Sequence, residues 1–243
     1  MPNRDQSLLK LVAIVTMVVD HVGAIFFPSI LWLRVIGRIA FPLFCWGIVI
    51  GAERTRNWLR YAMRLLLLAF VTQFFYMKAL NHEWYQLSVM ATLLLGFLGI
   101  QGMRLKWCFS QFWAPAIALL LSAMFTMDYG WRGVLLIMLM YLAKDSRGGL
   151  AALLIAFCLY WGGGGTMVPQ PVLAWLTSSP IAPLNRAVNE LLGLFKMQSL
   201  AILALPLMLV QTDSGLKIPK WVSYAAYPGH LLILWLIKLL VFR

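Results

Sequence analysis

Long apolar runs separated by short polar stretches make up most of the chain. Polar and apolar positions do not alternate within them, so the runs predict helices and not membrane β-strands. A helix that crosses a bilayer needs roughly 20 residues, so 243 residues leave room for about nine spans. The sequence therefore predicts an all-α, polytopic membrane helix bundle of about nine spans (eight to ten), forming a single domain over 1–243. The runs lie at about 8–28, 30–52, 58–80, 86–103, 112–127, 130–143, 149–161, 195–211 and 221–242.

The composition excludes the common soluble classes. Hydrophobic residues make up 62% of the chain and charged residues 12%, and the mean hydropathy is +0.83. An ordinary soluble domain carries about a quarter of charged residues, and a disordered chain lacks this apolar content. The three cysteines have neither CxxC nor Cys/His ligand spacing, so no metal site is expected.

The basic residues predict the orientation of the bundle. Their excess gives a net charge of +12, which in a soluble protein would suggest nucleic acid. Here they lie between apolar runs, so they indicate membrane topology, and no nucleic-acid partner is expected. Because the basic clusters fall on alternate loops, we expect a cytoplasmic N-terminus and, with nine spans, an outer C-terminus. The clusters are Arg54–Arg64, Arg104 with Lys106, Lys144 with Arg147, and Lys217 with Lys220.

One interruption, at about 162–194, is much longer than the others. It begins with four consecutive glycines and contains four prolines, so it is not one regular helix. The topology places it on the outer side. It is interpreted either as a lid or docking surface or as an interfacial loop without specificity.

The first run holds three ionisable residues, Lys10, Asp20 and His21, which are costly inside a membrane and are functional candidates. Lys10 and His21 are eleven residues apart. Their rotation of about 1100° leaves them only about 20° apart on one helix face, separated by about 16 Å along the axis. The alternatives are that Lys10 reaches the membrane interface and that His21 only bonds a neighbouring helix.

Asp20 points about 100° away from His21 and is predicted to meet Arg34 or Arg38 of the second run. These residues are interpreted first as a structural ion network and second as catalysts. In the same run, Pro42 lacks an N–H and leaves the carbonyl of Arg38 without its helical donor. Gly47 and Gly51, four residues apart, form a pattern that is typical of close helix packing.

The last run contains a second candidate histidine, His230. Pro228 and Gly229 predict a break or kink just before it, and Tyr227 shares its helix face. Both His21 and His230 fall inside the hydrocarbon core, at about 20 Å and 14 Å from the inner ends of their helices, so they are able to line one cavity. The third histidine, His82, is predicted to be solvated in an outer loop.

Several of these segments together resemble the start and end of the TraX family. They are LKLVAI at 9–14, MVVDH at 17–21, GRIAFPLF at 37–44 and YPGHL at 227–231. TraX proteins are polytopic bacterial inner-membrane acetylases, named for acetylation of the N-terminus of conjugative pilin. They are similar to the wider class of transmembrane acyltransferases, whose first span carries a basic residue, ten residues and a histidine. Lys10 and His21 match that spacing, although many members have arginine in place of the lysine.

The resemblance implies acetyl-CoA as the donor and His21 as the catalytic base, with further catalytic roles for Asp20, Arg38 and His230. Lys10 or Arg38 would stabilise the negative charge that develops on the thioester oxygen. Arginine binds phosphate through bidentate hydrogen bonds. The candidates for binding the donor are Arg54, Arg60 and Arg64, with Arg56 beside them, together with Lys10. The topology rule alone also explains these charges.

The resemblance leaves the acceptor open. The family suggests the N-terminal amine of a pilin, whereas the wider class suggests a hydroxyl of a cell-envelope glycan. Transfer is either direct or through an acetyl-histidine. A proton-coupled transporter or flippase and a non-catalytic scaffold are the alternatives from other functional classes, and the sequence does not predict an oligomeric state.

Overall fold

The computed structural model of the chain describes residues 2–161 and 197–241, and the predicted loop at 162–194 lies outside them. The described ranges contain ten α-helices and two short 3-10 helices and no β-strand, which confirms the all-α class. The α-helices are α1 Gln6–Phe26, α2 Leu31–Gly37, α3 Ala40–Arg54, α4 Trp58–Leu80, α5 Val89–Leu105, α6 Ser110–Met124, α7 Gly130–Leu142, α8 Arg147–Tyr160, α9 Leu205–Leu209 and α10 Lys220–Val241, and the 3-10 helices are Trp107–Phe109 and Met197–Ala204.

Each of the nine predicted runs has a helical counterpart in these ranges. Five stretches are long and apolar enough to cross a membrane, which supports the transmembrane character of the chain. They are Gln6–Phe26, Leu31–Arg54, Trp58–Leu80, Trp107–Met124 and Trp221–Val241. The other four runs form apolar helices of 10–17 residues, namely Val89–Leu105, Gly130–Leu142, Arg147–Tyr160 and Met197–Leu209.

Helices α3 and α5 form the centre of the bundle. Most side chains of α3 are buried, whereas α4 and α10 expose large apolar side chains, among them Phe70 and Leu240 with 79% and 77% of their surface accessible. A soluble protein rarely exposes so many large apolar residues on neighbouring helices. These outer faces are therefore suited to contact with lipid.

The second predicted span is broken between α2 and α3. Pro42 cannot donate to the carbonyl of Arg38, four residues earlier. The N–H groups of Arg38 and Ile39 instead bond the carbonyls of Val35 and Ile36, three residues back, at 3.1 and 3.2 Å. The helical bonding pattern changes at this point, and Arg38 at the break places its guanidinium against α1, 2.8 Å from Asp20.

Of the break or kink predicted in the last span, the break is wrong. Helix α10 continues through Pro228 and Gly229 without interruption. Pro228 removes the helical donor to the carbonyl of Tyr224, and membrane helices tolerate such an internal proline. Two residues further on, the imidazole Nδ1 of His230 donates to the carbonyl of Ala226 at 2.9 Å.

The basic clusters gather at one end of the bundle, which we call the basic end. Glu53 accepts from Arg4 at 3.3 Å and from Lys144 at 3.5 Å, and Arg104 donates to the carbonyl of Ala52. The opposite end holds the loops 81–88 and 125–129, joined where the N–H of Leu87 bonds Thr126 at 2.8 Å. Basic residues from alternate loops of the sequence therefore lie at one end of the structure.

Two glycines in the broken span have opposite surroundings. A Cβ at Gly37 would overlap the carboxylate of Asp20, whereas a Cβ at Gly47 would meet no atom within 4 Å. The prediction that Gly47 serves close packing is therefore wrong, because its absent side chain leaves open space. Gly37, in contrast, allows α2 to approach Asp20.

We expect Gly37→Ala to lower the melting temperature of the detergent-purified protein by several degrees, because it displaces Asp20 from its arginines. Gly47→Ala is the matched control and should be neutral or stabilising, since alanine favours a helix over glycine by about 1 kcal/mol. Thermal unfolding followed by tryptophan fluorescence measures both. Equal shifts would contradict the proposed role of Gly37.

Candidate active site

Two cavities lie end to end inside the bundle. The histidine cavity, of about 530 Å³, is lined by His21 and Arg38 together with residues of the opposite end. The basic cavity, of about 350 Å³, is lined by Lys10 and by arginines of the basic end. Three side chains line both cavities and therefore form the wall between them, namely Met17, Phe44 and Tyr227.

The two candidate histidines are in direct contact. Nδ1 of His21 lies 2.7 Å from Nε2 of His230, and the two rings stack with their centroids 5.0 Å apart and 9° between their planes. Tyr227 packs edge-on against His230, with ring centroids 5.4 Å apart, which confirms their shared face. The contact joins α1 to α10, close to the wall between the cavities.

The hydrogen bonds of this pair assign its tautomers. A carbonyl only accepts, so Nδ1 of His230 carries the proton that it donates to Ala226. In a neutral ring the other nitrogen then accepts, so Nδ1–H of His21 donates to Nε2 of His230. Nε2 of His21 is therefore left with a lone pair that is available for a proton.

Asp20 forms an ion triad with two arginines, which confirms the predicted contact. Its carboxylate oxygens lie 2.8 Å from Arg34 and 2.8 Å from Arg38, and the side chains of Asp20 and Arg38 are only 13% and 11% exposed. Arg38 also donates to Oε1 of Gln198 at 3.2 Å. The triad attaches α1 to the broken span immediately beside His21.

Polar residues that the sequence does not assign to the site also line the histidine cavity, among them His82, Gln198 and Asp128. The prediction that His82 is only solvated is wrong, because its ring stacks on Tyr76 at 4.6 Å and Nδ1 lies 2.8 Å from Oε1 of Gln86. Gln198 is not ionisable and Asp128 lies outside the apolar runs, so the cost of burying charge in a span points to neither. A polar side chain inside the apolar run at 195–211 is the one sequence feature that points to Gln198. No such feature points to Asp128, because it lies between two runs.

Gln198 presents an unsatisfied donor. Its amide Nε2 is buried and has no hydrogen-bond partner among the residues that the structure describes. An unpaired buried amide is costly, and such groups are common where a ligand supplies the missing partner. Together with Arg38, Gln198 is able to stabilise a negatively charged oxygen close to the histidine pair.

Asp128 is the carboxylate of the loop 125–129. Burial raises its pKa, and the hydrogen bond from Tyr76 and the positive charges of His82 and Arg38 only partly oppose this. Its backbone is fixed, because its N–H donates to Leu87 at 2.9 Å and its carbonyl accepts from Thr92. The loop therefore holds this carboxylate rigidly at the cavity surface.

Three of the four predicted donor-binding residues, Lys10, Arg54 and Arg64, line the basic cavity, and Arg56 joins them. Arg60 does not line this cavity, so its position does not favour the predicted donor-binding role. On α4 the lining residues form a stripe of about 100° that contains Arg64, and Arg60 lies outside its edge.

The position of Lys10 bears on its two predicted roles, donor binding and stabilisation of the oxyanion. It lines the basic cavity and not the histidine cavity, although it shares a helix face with His21. The separation of about 16 Å along α1 is too large for contact with a group that reacts at His21. The position of Lys10 therefore favours its predicted donor-binding role over its predicted oxyanion role.

Comparison with known proteins adds a family. The family model described as TraX protein matches residues 5–238. A TraX protein from Escherichia coli is 32% identical over 160 residues, which cover 61% of this chain and 61% of the relative. A TraX protein from Escherichia coli strain K12 is 29% identical over 191 residues, which cover 76% of this chain and 72% of the relative.

A third relative is named as a probable fimbrial assembly protein of Dichelobacter nodosus. It is 38% identical over 72 residues, which cover 28% of this chain and 30% of the relative. The chain thus spans less than two thirds of the length of several relatives that it matches. No solved structure matches the chain.

The tautomer assignment is testable by nuclear magnetic resonance, because the chain has only three histidines. In protein labelled with ¹⁵N-histidine, we expect His21 and His230 both to show protonated Nδ1 and unprotonated Nε2 at neutral pH. A His82→Gln variant identifies the two relevant signals by elimination. Protonated Nε2 on His21 would contradict the assignment.

Proposed function

The chain belongs to the TraX family, and from this membership we propose that it acetylates the N-terminal amine of a pilin, using cytosolic acetyl-CoA, in the bacterial inner membrane. The observation that carries the proposal is the His21–His230 contact. It leaves a proton-accepting nitrogen in a cavity that shares a wall with a second, basic cavity.

The basic cavity suits the donor. Arg54 and Arg64 at the basic end would bind the phosphates of acetyl-CoA, because guanidinium groups pair with phosphate in a bidentate way. The rise from Lys10 to His21 is about 16 Å, so a donor anchored there needs a long arm to reach the histidine. The phosphate-bearing pantetheine arm of acetyl-CoA ends in the thioester and has this form.

The histidine cavity suits the chemistry. Nε2 of His21 would accept the proton of the acceptor amine as its nitrogen attacks the thioester carbonyl. The bond between carbon and sulfur then breaks, and the departing thiolate takes the proton from His21. Arg38 and Nε2 of Gln198 are placed to stabilise the oxyanion in between. Attack by His21 itself, giving an acetyl-histidine, is the competing route.

His230 and Asp20 would act through other residues in this mechanism. His230 accepts from Nδ1 of His21 and so keeps the reacting nitrogen unprotonated. Asp20 holds Arg34 and Arg38 and so positions the guanidinium of Arg38. We therefore propose both as positioning residues.

The pilin acceptor is favoured over a glycan by the names of the relatives. One relative is named for fimbrial assembly, and the family that matches this chain is TraX. The ionisable lining of the histidine cavity would also serve a proton relay, as in a transporter. A transporter, however, would not cleave the thioester of acetyl-CoA in the presence of any acceptor.

We expect His21→Gln to lower acetyl transfer from acetyl-CoA to a peptide amine by about 10²–10⁴-fold, because the general base is lost. The purified variant should keep its melting temperature and its affinity for acetyl-CoA, which shows that the fold and the donor site are intact. Mass spectrometry of the peptide measures transfer. Turnover close to that of the wild type would remove His21 from the mechanism.

Arg64 and Arg60 form a matched pair for the donor site, because they lie one turn apart on α4 and only Arg64 lines the basic cavity. We expect Arg64→Gln to raise the KM for acetyl-CoA about tenfold or more, with Arg60→Gln close to wild type. Initial rates at varied acetyl-CoA concentration measure both. An equal effect of the two variants would indicate a general electrostatic role and contradict a phosphate site in the cavity.

A further inference from the structure

The histidine cavity contains two carboxylates with different surroundings. Asp20 is occupied by Arg34 and Arg38, each at 2.8 Å. Asp128 forms no ion pair with any residue in 2–161 or 197–241. A partly buried carboxylate on a cavity wall is stabilised by a cation, so Asp128 is complementary to a positively charged ligand.

The position of Asp128 is well defined. Backbone hydrogen bonds to Leu87 and from Thr92 join its loop to the neighbouring loop and to α5. Tyr76 lines the same cavity as Asp128. A preorganised group of this kind gives specificity, because little ordering is needed when the ligand binds.

The chemistry of an amine acceptor requires a second proton-accepting group. The α-amino group of a peptide has a pKa near 8, so it is mostly an ammonium at neutral pH. It must lose one proton before its nitrogen can attack and a second proton after the attack. A hydroxyl acceptor loses only one proton, so His21 alone would be sufficient for it.

We propose that Asp128 is the binding site for the ammonium group of the acceptor and the first acceptor of its proton. The inference rests on the proposed acetyl transfer and adds to it the residue that selects an amine over a hydroxyl. The observations that carry it are a carboxylate without an ion pair in the described ranges, its fixed loop and its place in the cavity that His21 also lines.

The proton balance of the step follows. The ammonium transfers one proton to the carboxylate of Asp128 and becomes a neutral amine. The amine nitrogen bonds the acetyl carbon, the bond from that carbon to sulfur breaks, and the second proton passes through Nε2 of His21 to the thiolate. The products are the N-acetylated peptide, the CoA thiol and one proton, which leaves Asp128 for the solvent.

A pair of peptides that differ only in the reacting group tests the inference. The first is trialanine amide with a free ammonium terminus, and the second is its analogue with lactate in place of the first alanine, which presents a hydroxyl. Acetyl transfer to each is measured with the full-length, detergent-purified protein at saturating acetyl-CoA. We expect Asp128→Asn to raise the KM of the amine peptide at least about tenfold.

The same variant should leave the KM values of the lactyl peptide and of acetyl-CoA nearly unchanged. A merely structural role would instead move all three values together. Glu83→Gln is the matched control, because it removes a carboxylate from an exposed residue at the same end of the bundle. We expect it to behave as wild type with both peptides.

A measurement on the wild-type protein covers the case in which Asp128→Asn does not fold. Propylammonium should compete with the amine peptide, whereas propanol, of nearly equal size and without charge, should not. Equal effects of Asp128→Asn on both peptides, or no competition by propylammonium, would overturn the role of Asp128 while leaving acetyl transfer intact. Absence of acetyl transfer to either peptide by the wild type would overturn the proposed function and this inference with it.

Discussion

The ion triad of Asp20, Arg34 and Arg38 is the interaction on which the rest of the site depends. A carboxylate buried in a membrane bundle is expensive unless cations and hydrogen bonds compensate it, and here two guanidiniums occupy its two oxygens. The pairing requires the chain to break between α2 and α3, which Pro42 causes, and requires Gly37 to lack a side chain. Because His21 follows Asp20 directly, the position of its imidazole on α1 is set by the same interaction.

The two cavities keep the cationic groups of the basic end apart from the histidine pair and the carboxylates. Arginines and Lys10 line the cavity at the basic end, and His21 and two carboxylates line the other cavity, toward the opposite end. Met17, Phe44 and Tyr227 form an apolar and aromatic wall between them, one helical turn from His21. A thioester that reached this wall from the basic cavity would meet Nε2 of His21 and an amine that entered from the other side.

Helical periodicity predicted well which face of a helix a residue occupies, and predicted poorly which residues of other helices it meets. It placed Lys10 and His21 correctly on one face of α1 but suggested a shared reaction centre, and the two residues line different cavities. Arg60 and Arg64 looked equivalent in one basic cluster, and the packing of α4 separates them. Asp128 lies between two runs, where no helix periodicity applies, and the contact of two loops brings it to the cavity.

The sequence by itself determined the all-α class, the grouping of the basic clusters, the family resemblance and the contact of Asp20 with the arginines. These depend on the apolar length of each run, on charge in the loops and on the spacing between adjacent helices. The tertiary structure alone decided the contact between His21 and His230, which are 209 residues apart, and the place of Gln198 and Asp128 beside them. Spacing along one helix fixes only which side chains share its face. Which faces meet depends on how all helices pack at once, and that information is spread over the whole chain.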